Sequence, residues 1–170
     1  MKHMKKWLAS ALILLLVMMN AVPAMADNEA QYATTQDFIR ALEENELKYS
    51  YVGIDDDGDE KVTVSYGAEP YEEYKFRFYF NEDQTAVFIR MWNIVTVSAG
   101  ETYALKTINA LNAGYKYVKF YLDESDSTLS LSADFPLAGS NSGDAVIYMM
   151  NRLNGIMTHE SVETAILSLK

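Results

Sequence analysis

The heptapeptide "YKFRFYF", Tyr74 to Phe80, puts an aromatic residue at every second position and fills three gaps with Lys75, Arg77 and Tyr79. Successive side chains of a strand point to opposite faces, so this stretch predicts a strand with Tyr74, Phe76, Phe78 and Phe80 turned to a core. The same period extends to both sides. In "KVTVSY" Val62, Val64 and Tyr66 alternate with Lys61, Thr63 and Ser65. In "AVFIRMWNIVTV" Val87, Ile89 and Met91 oppose Phe88, Arg90 and Trp92, and the length of this run predicts a long strand or one with a bulge. "YSYVGI" supplies a further strand before them. Four antiparallel strands joined by short turns follow.

Helical spacing brackets these strands. "TQDFIRALEENELK" carries Phe38, Ile39 and Leu42 on one stripe, with Thr34 and Asp37 read as a capping box and an end near Leu47. "ETYALKTINALNAG" aligns Ala104, Ile108 and Leu111 and stops at Gly114. Two strands follow, "YKYVKFYLD" and "STLSLSADF", then a last helix capped by Ser142 that bends near Gly155 and Thr158. The predicted fold class is α+β in the order α-β-β-β-β-α-β-β-α. A single twisted antiparallel sheet has helices packed mainly on one face, because each strand has one apolar face to bury.

"IDDDGDEKV", Ile54 to Val62, is the stretch that looks most like chemistry. A calcium loop of the EF-hand kind needs oxygen ligands at positions 1, 3, 5 and 12 and glycine at 6. With Gly58 at the glycine position, Gly53 and Val64 fall where two principal carboxylates belong, so the ligand set fails. Asp57-Gly58 instead suits a hairpin turn with positive φ, leaving weak Ca²⁺ contact by Asp55, Asp57 and Asp59 as the remaining metal reading. No metal site and no cofactor is expected.

The chain begins with Lys2, Lys5 and Lys6, then "WLASALILLLVMMN", then Ala24-Met25-Ala26 before Asp27. This layout predicts a cleaved secretory signal over 1–26, a flexible leader over 27–34 and one domain over 35–170. Export to the periplasm or the exterior is the expectation, with no stable membrane span after cleavage. There is no cysteine, so stability rests on the packed core. Removing the first 26 residues leaves 11 Lys and Arg against all 24 Asp and Glu, a net charge of −13. That balance argues against a nucleic-acid or anionic-membrane partner, since both need concentrated positive charge.

Beyond residue 26 the one histidine is His159, set in the polar "MTHESVE" and read as a surface residue. No nucleophile elbow and no phosphate loop is present. Acids are plentiful in "LEENE", "PYEE" and "LDES", and a hydrolase using paired carboxylates stays as the alternative function; it would need two acids converging in a cleft.

With the apolar faces under helices, the opposite sheet face displays Arg77, Tyr79, Phe88, Arg90, Trp92, Tyr117, Lys119 and Tyr121. Cations among aromatics stabilise one another by stacking and are common at interaction hot spots. Three uses stand open: a half-exposed sheet surface, a homodimer interface, or a site for a protein or peptide partner.

"TINALN", Thr107 to Asn112, followed by "YKYVKFYLDESDSTLSLSADFPL" and an amphipathic helix, resembles the YbjN family, described as bacterial sensory transduction regulators. The element order is also similar to that of type III secretion chaperones. The resemblance spans most of residues 35–168 and implies a dimeric, non-enzymatic, chaperone-like binding protein with no catalytic residues to carry over. Family members are generally cytoplasmic, so the signal-like leader sets this chain apart. Asn109 and Asn112 are expected to bond backbone groups of neighbouring strands.

Overall fold

A computed structural model describes residues 30–68, 71–137 and 142–170. The predicted signal segment, the start of the leader and the loops at Pro70 and Gly139 lie outside the described residues. Within them the order is α1 (Ala33–Glu44), β1 (Ser50–Ile54), β2 (Glu60–Ala68), β3 (Tyr71–Phe80), β4 (Ala86–Thr96), α2 (Glu101–Gly114), β5 (Lys119–Asp123), β6 (Thr128–Pro136), α3 (Ser142–Met157) and α4 (Glu160–Leu167). The strands form one antiparallel sheet in the order β1-β2-β3-β4-β6-β5. The predicted α+β class holds, with the last helix divided in two.

The alternation on β3 sets the layers. Tyr74, Phe76, Phe78 and Phe80 are buried, and Phe38 of α1 packs on Phe78 and Phe80 with ring centroids 4.6 and 5.6 Å apart. Val62, Val64, Val87, Ile89, Met91, Leu129 and Leu131 join the same cluster, which the apolar stripes of all four helices complete. Burying a side chain of this size contributes about 1.5–3 kcal/mol, and the core is continuous from the first helix to Leu169.

Local signals and tertiary ones part company at the start of α1. The expected capping box at Thr34 is not used, because the helix begins earlier with Tyr32 at its N-cap position. The amides of Tyr32 and Ala33 at its start, and of Gln31 before it, are taken by distant side chains. The fully buried Glu60 carboxylate accepts from the amides of Gln31 (2.6 Å) and Tyr32 (2.9 Å) and from the Tyr51 hydroxyl (2.6 Å), while Gln84 Oε1 accepts from Ala33 (2.8 Å). From Ala30, which is buried, the predicted flexible leader is therefore anchored. The helix ends at Glu44, short of Leu47, where the chain turns through Glu46 at φ 55°.

The acidic stretch is a five-residue connection between β1 and β2. Gly58 has φ 86°, and Asp57 is not in the positive-φ region that a two-residue turn would need. Asp55 organises it instead: its Oδ1 accepts from the amides of Asp57 and Asp59 (3.0 Å each), and its Oδ2 lies 2.9 Å from Lys61 Nζ. The bond from Lys61 holds the Asp55 carboxyl below the usual carboxylate range. On α2, Asn112 fulfils its expected role, bonding both the amide (2.8 Å) and the carbonyl (2.9 Å) of Phe120 on β5, whereas Asn109 is exposed. The final helical run breaks at Thr158 and His159, and His159 caps α4 by accepting from the Ser161 amide.

Helices α1 and α3 cross at Gly143, where a Cβ would lie 2.2 Å from the Asp37 carbonyl oxygen. Ser142 Oγ donates to Asp37 Oδ2 at the same crossing (3.0 Å). Gly155, further along α3, has open space around its α-carbon. Gly143→Ala is expected to lower the unfolding free energy by about 1–3 kcal/mol through overpacking, whereas Gly155→Ala raises it by up to about 1 kcal/mol through helix propensity. Urea denaturation of the two variants checks the opposite signs.

Candidate functional site

The side chains of β2, β3 and β4 that alternate with the core residues meet on the other side of the sheet. Register sets Lys61 opposite Tyr79, Tyr79 opposite Phe88, and Arg77 opposite Arg90. Lys61 Nζ lies 5.1 Å from the Tyr79 ring centroid, the Arg77 guanidinium 4.9 Å from that of Trp92, and the Arg90 guanidinium 5.7 Å from that of Phe88. Tyr79 and Trp92 meet edge to face at 6.0 Å. Each cation–π contact contributes about 0.5–1 kcal/mol at an exposed position, enough to hold the array in shape. Trp92 remains 39 % exposed, while Arg77, Tyr79, Phe88 and Arg90 are half-buried against one another.

Two members of the array, Tyr79 and Lys61, have shifted titrations. Partial burial pushes the Tyr79 phenol above its ordinary value, against a smaller pull from Lys61 and Arg77, so it stays neutral. The bond to Asp55 raises Lys61, so it stays charged. Arg90 reaches Asp134 on β6 at 2.5 Å, and Lys75 reaches Glu73 at 3.3 Å.

The eight residues expected on this face do not all gather. Arg77, Tyr79, Phe88, Arg90 and Trp92 form the compact array. Lys119 and Tyr121 lie on β5, separated from β4 by β6, where they pair with Ser132 and Ser130. Tyr117 precedes β5, has φ 66° and is 74 % exposed, so it stands outside the alternation assumed for it. Lys61 and Asp134 are the members that sequence reasoning passed over. The alternation in "KVTVSY" already gave Lys61 its face, but its stacking on Tyr79 and the Arg90 pair with Asp134 depend on strand register.

Trp92 owes its position to a bulge in β4. Met91 pairs with Leu131 and Val95 with Leu129, so Trp92, Asn93 and Ile94 stand opposite the single residue Ser130. Asn93 takes φ 56°, and its Oδ1 accepts from Thr128 Oγ1 at 3.1 Å. Two extra residues leave Met91 and Val95 both on the core side, so the strand bends without turning its apolar residues outward.

Concave regions occur elsewhere among the described residues. A groove of about 560 Å³ between α2 and α4 is lined by Tyr103, Thr107, Tyr115, Ser161 and Ser168 among others. A smaller one of about 270 Å³ lies against Phe135, Leu137, Val146 and Met149. Neither is lined by a carboxylate or a histidine, and no group of three or more His, Cys, Asp or Glu suited to a metal ion occurs among the described residues.

The sequence model of the YbjN family, described as "Putative bacterial sensory transduction regulator", matches residues 36–154. The chain belongs to the YbjN family. In this YbjN protein the matched region runs from α1 into α3 and contains the whole cation–aromatic array. No curated protein and no solved structure matches the chain. No described helix of this YbjN protein is long and apolar enough to cross a membrane.

An array held by side-chain contacts on the sheet face away from the core is expected to contribute little to folding. Arg77→Gln and Trp92→Ala are each expected to change the unfolding free energy by less than about 1 kcal/mol, against about 3–5 kcal/mol for Phe78→Ala on the same strand. Urea denaturation measures all three, and a loss near 3 kcal/mol at Arg77 or Trp92 would make the face structural.

Proposed function

We propose that this YbjN protein is an exported, non-enzymatic regulator that binds a protein partner through the open face of its sheet. The observation that carries the reading is the Arg77–Trp92–Tyr79 array with Phe88 and Arg90 beside it, assembled on the two adjacent strands β3 and β4 and left uncovered by the described helices. Tryptophan, tyrosine and arginine are the residue types that dominate binding hot spots, since they offer a large rigid surface with a polar handle. Family membership supports a regulatory role. The basic, apolar and small-x-small order of residues 1–26 supports export. Tyr117 and Tyr121 are secondary contacts at most, because β6 stands between them and the array.

A homodimer through the same face is the competing occupant, and a photo-crosslinker separates the two. With a benzophenone amino acid at Trp92 in the native host, the expected product is an adduct with a second protein, lost in an Arg90→Glu background. Mass spectrometry of that adduct is expected to place the N-terminus of this chain at Asp27. The same label at Tyr148, exposed on α3, is expected to give no such product. An adduct from Tyr148 but not from Trp92 would overturn the reading, and an adduct with a second copy of the chain would make the face a self-interface.

A further inference from the structure

Arg77 and Arg90 are register partners on one face of an antiparallel pair. Like charges directly opposite each other work against folding, and a sheet built for stability alone would set an acid between them. The acid that is present does not lie there. Asp134 is on β6, on the far side of Arg90 from Arg77, and bonds Arg90 Nη1. Arg77 has no ion pair with a carboxylate among the described residues; its guanidinium lies over Trp92. Two arginines and one aspartate leave a local surplus of one positive charge, in a chain whose overall charge is −10.

The backbone opens at the same point. The ladder between β3 and β4 runs from Phe80 opposite Val87 to Arg77 opposite Arg90. Beyond Arg77, β3 continues beside β2, with Tyr74 opposite Tyr66. Beyond Arg90, β4 enters its bulge and continues beside β6. Arg77 and Arg90 therefore sit where two strands part, and Trp92 is the first bulged residue within the fork.

We propose that Arg77, backed by Arg90, is an anion-recognition point whose occupant is an extended peptide segment of the partner protein. That segment presents one carboxylate side chain beside an apolar residue that rests on Trp92. The inference rests on the reading of the open face as a protein-binding surface and adds the chemistry of what it reads. A guanidinium offers parallel N–H donors that match a carboxylate in bidentate fashion, and stacking on Trp92 holds the donor plane ready. One surplus charge suits a monoanion. A phosphate monoester, at about −1.5 to −2, would be left partly unbalanced. The neighbouring lysines add little, because Lys61 and Lys75 already hold Asp55 and Glu73, and Lys119 lies two strands from Arg90 and three from Arg77, on β5. Charge beyond a Debye length of about 8 Å is screened at physiological salt, so the acidity of the rest of the chain does not forbid a single local acid. It does disfavour a run of acids.

The test uses the full chain and three libraries of octapeptides acetylated at the N-terminus and amidated at the C-terminus, so that no terminal carboxylate competes. Each has a fixed central Leu followed by Glu, Gln or phosphoserine, with the other positions randomised among uncharged residues. Titrations are followed by the NMR signals of Arg77 Nε–H and Trp92 Nε1–H. The Glu library is expected to shift both signals at least tenfold more tightly than the Gln library. Arg77→Gln removes that preference, Arg77→Lys recovers part of it, and Lys75→Gln leaves it unchanged. Equal shifts from Glu and Gln libraries would overturn the carboxylate assignment while keeping the face as a docking surface. A preference for phosphoserine would overturn it in favour of a dianion. Glu-specific binding that persists in Arg77→Gln would place the site elsewhere and remove the face itself. The absence of shifts from every library at millimolar concentration would overturn the inference outright.

Discussion

Everything else in the molecule depends on the alternation of β3. Four aromatic side chains at every second position cannot be exposed without a large loss of burial, so they fix which face of the central strand meets the helices. Because the side-chain period is two, a one-residue slip would move all four into solvent, and β3 therefore pins the register of β2 and β4 beside it. Arg77 and Tyr79 are carried outward by the same geometry. The candidate face is the reverse side of the core pattern.

The layers could be read from the sequence because they depend on spacing alone. Val62, Val64, Val87, Ile89 and Met91 are buried at the positions their alternation indicated, and so are Ala104, Ile108 and Leu111 on α2. What could not be read depends on contacts between distant residues. The cap of α1 comes from Glu60 and Gln84, 28 residues from Tyr32 in one case and 51 from Ala33 in the other, so the local pattern at Thr34 misplaced the helix start. The turn at Asp55 is governed by a carboxylate bonding its own loop and Lys61, which composition alone presents as a cluster of acids.

The candidate site shows the same division. The five residues that form the array lie on β3 and β4, consecutive strands that are also neighbours, so their shared face followed from the pattern. Tyr121 keeps the expected face but stands apart from the array because β6 is inserted between β4 and β5, and strand order leaves no trace in periodicity. Tyr117 was misjudged because its left-handed backbone takes it out of the strand. The bulge that brings Trp92 under Arg77 was legible as a possibility in the length of "AVFIRMWNIVTV", but not its site.

A chain with 24 acidic and 14 basic side chains places two of its four arginines as register partners on the sheet face away from its core, and on the proposed account that pair has a partner to bind. The most direct test of that account is hydroxyl-radical footprinting of the purified chain alone and in its native complex. Labelling of Trp92, Tyr79 and Phe88 is expected to fall several-fold in the complex, with Tyr103 and Tyr148 on the helices unchanged. Protection of Tyr103 or Tyr148 with Trp92 labelled equally in both states would contradict it.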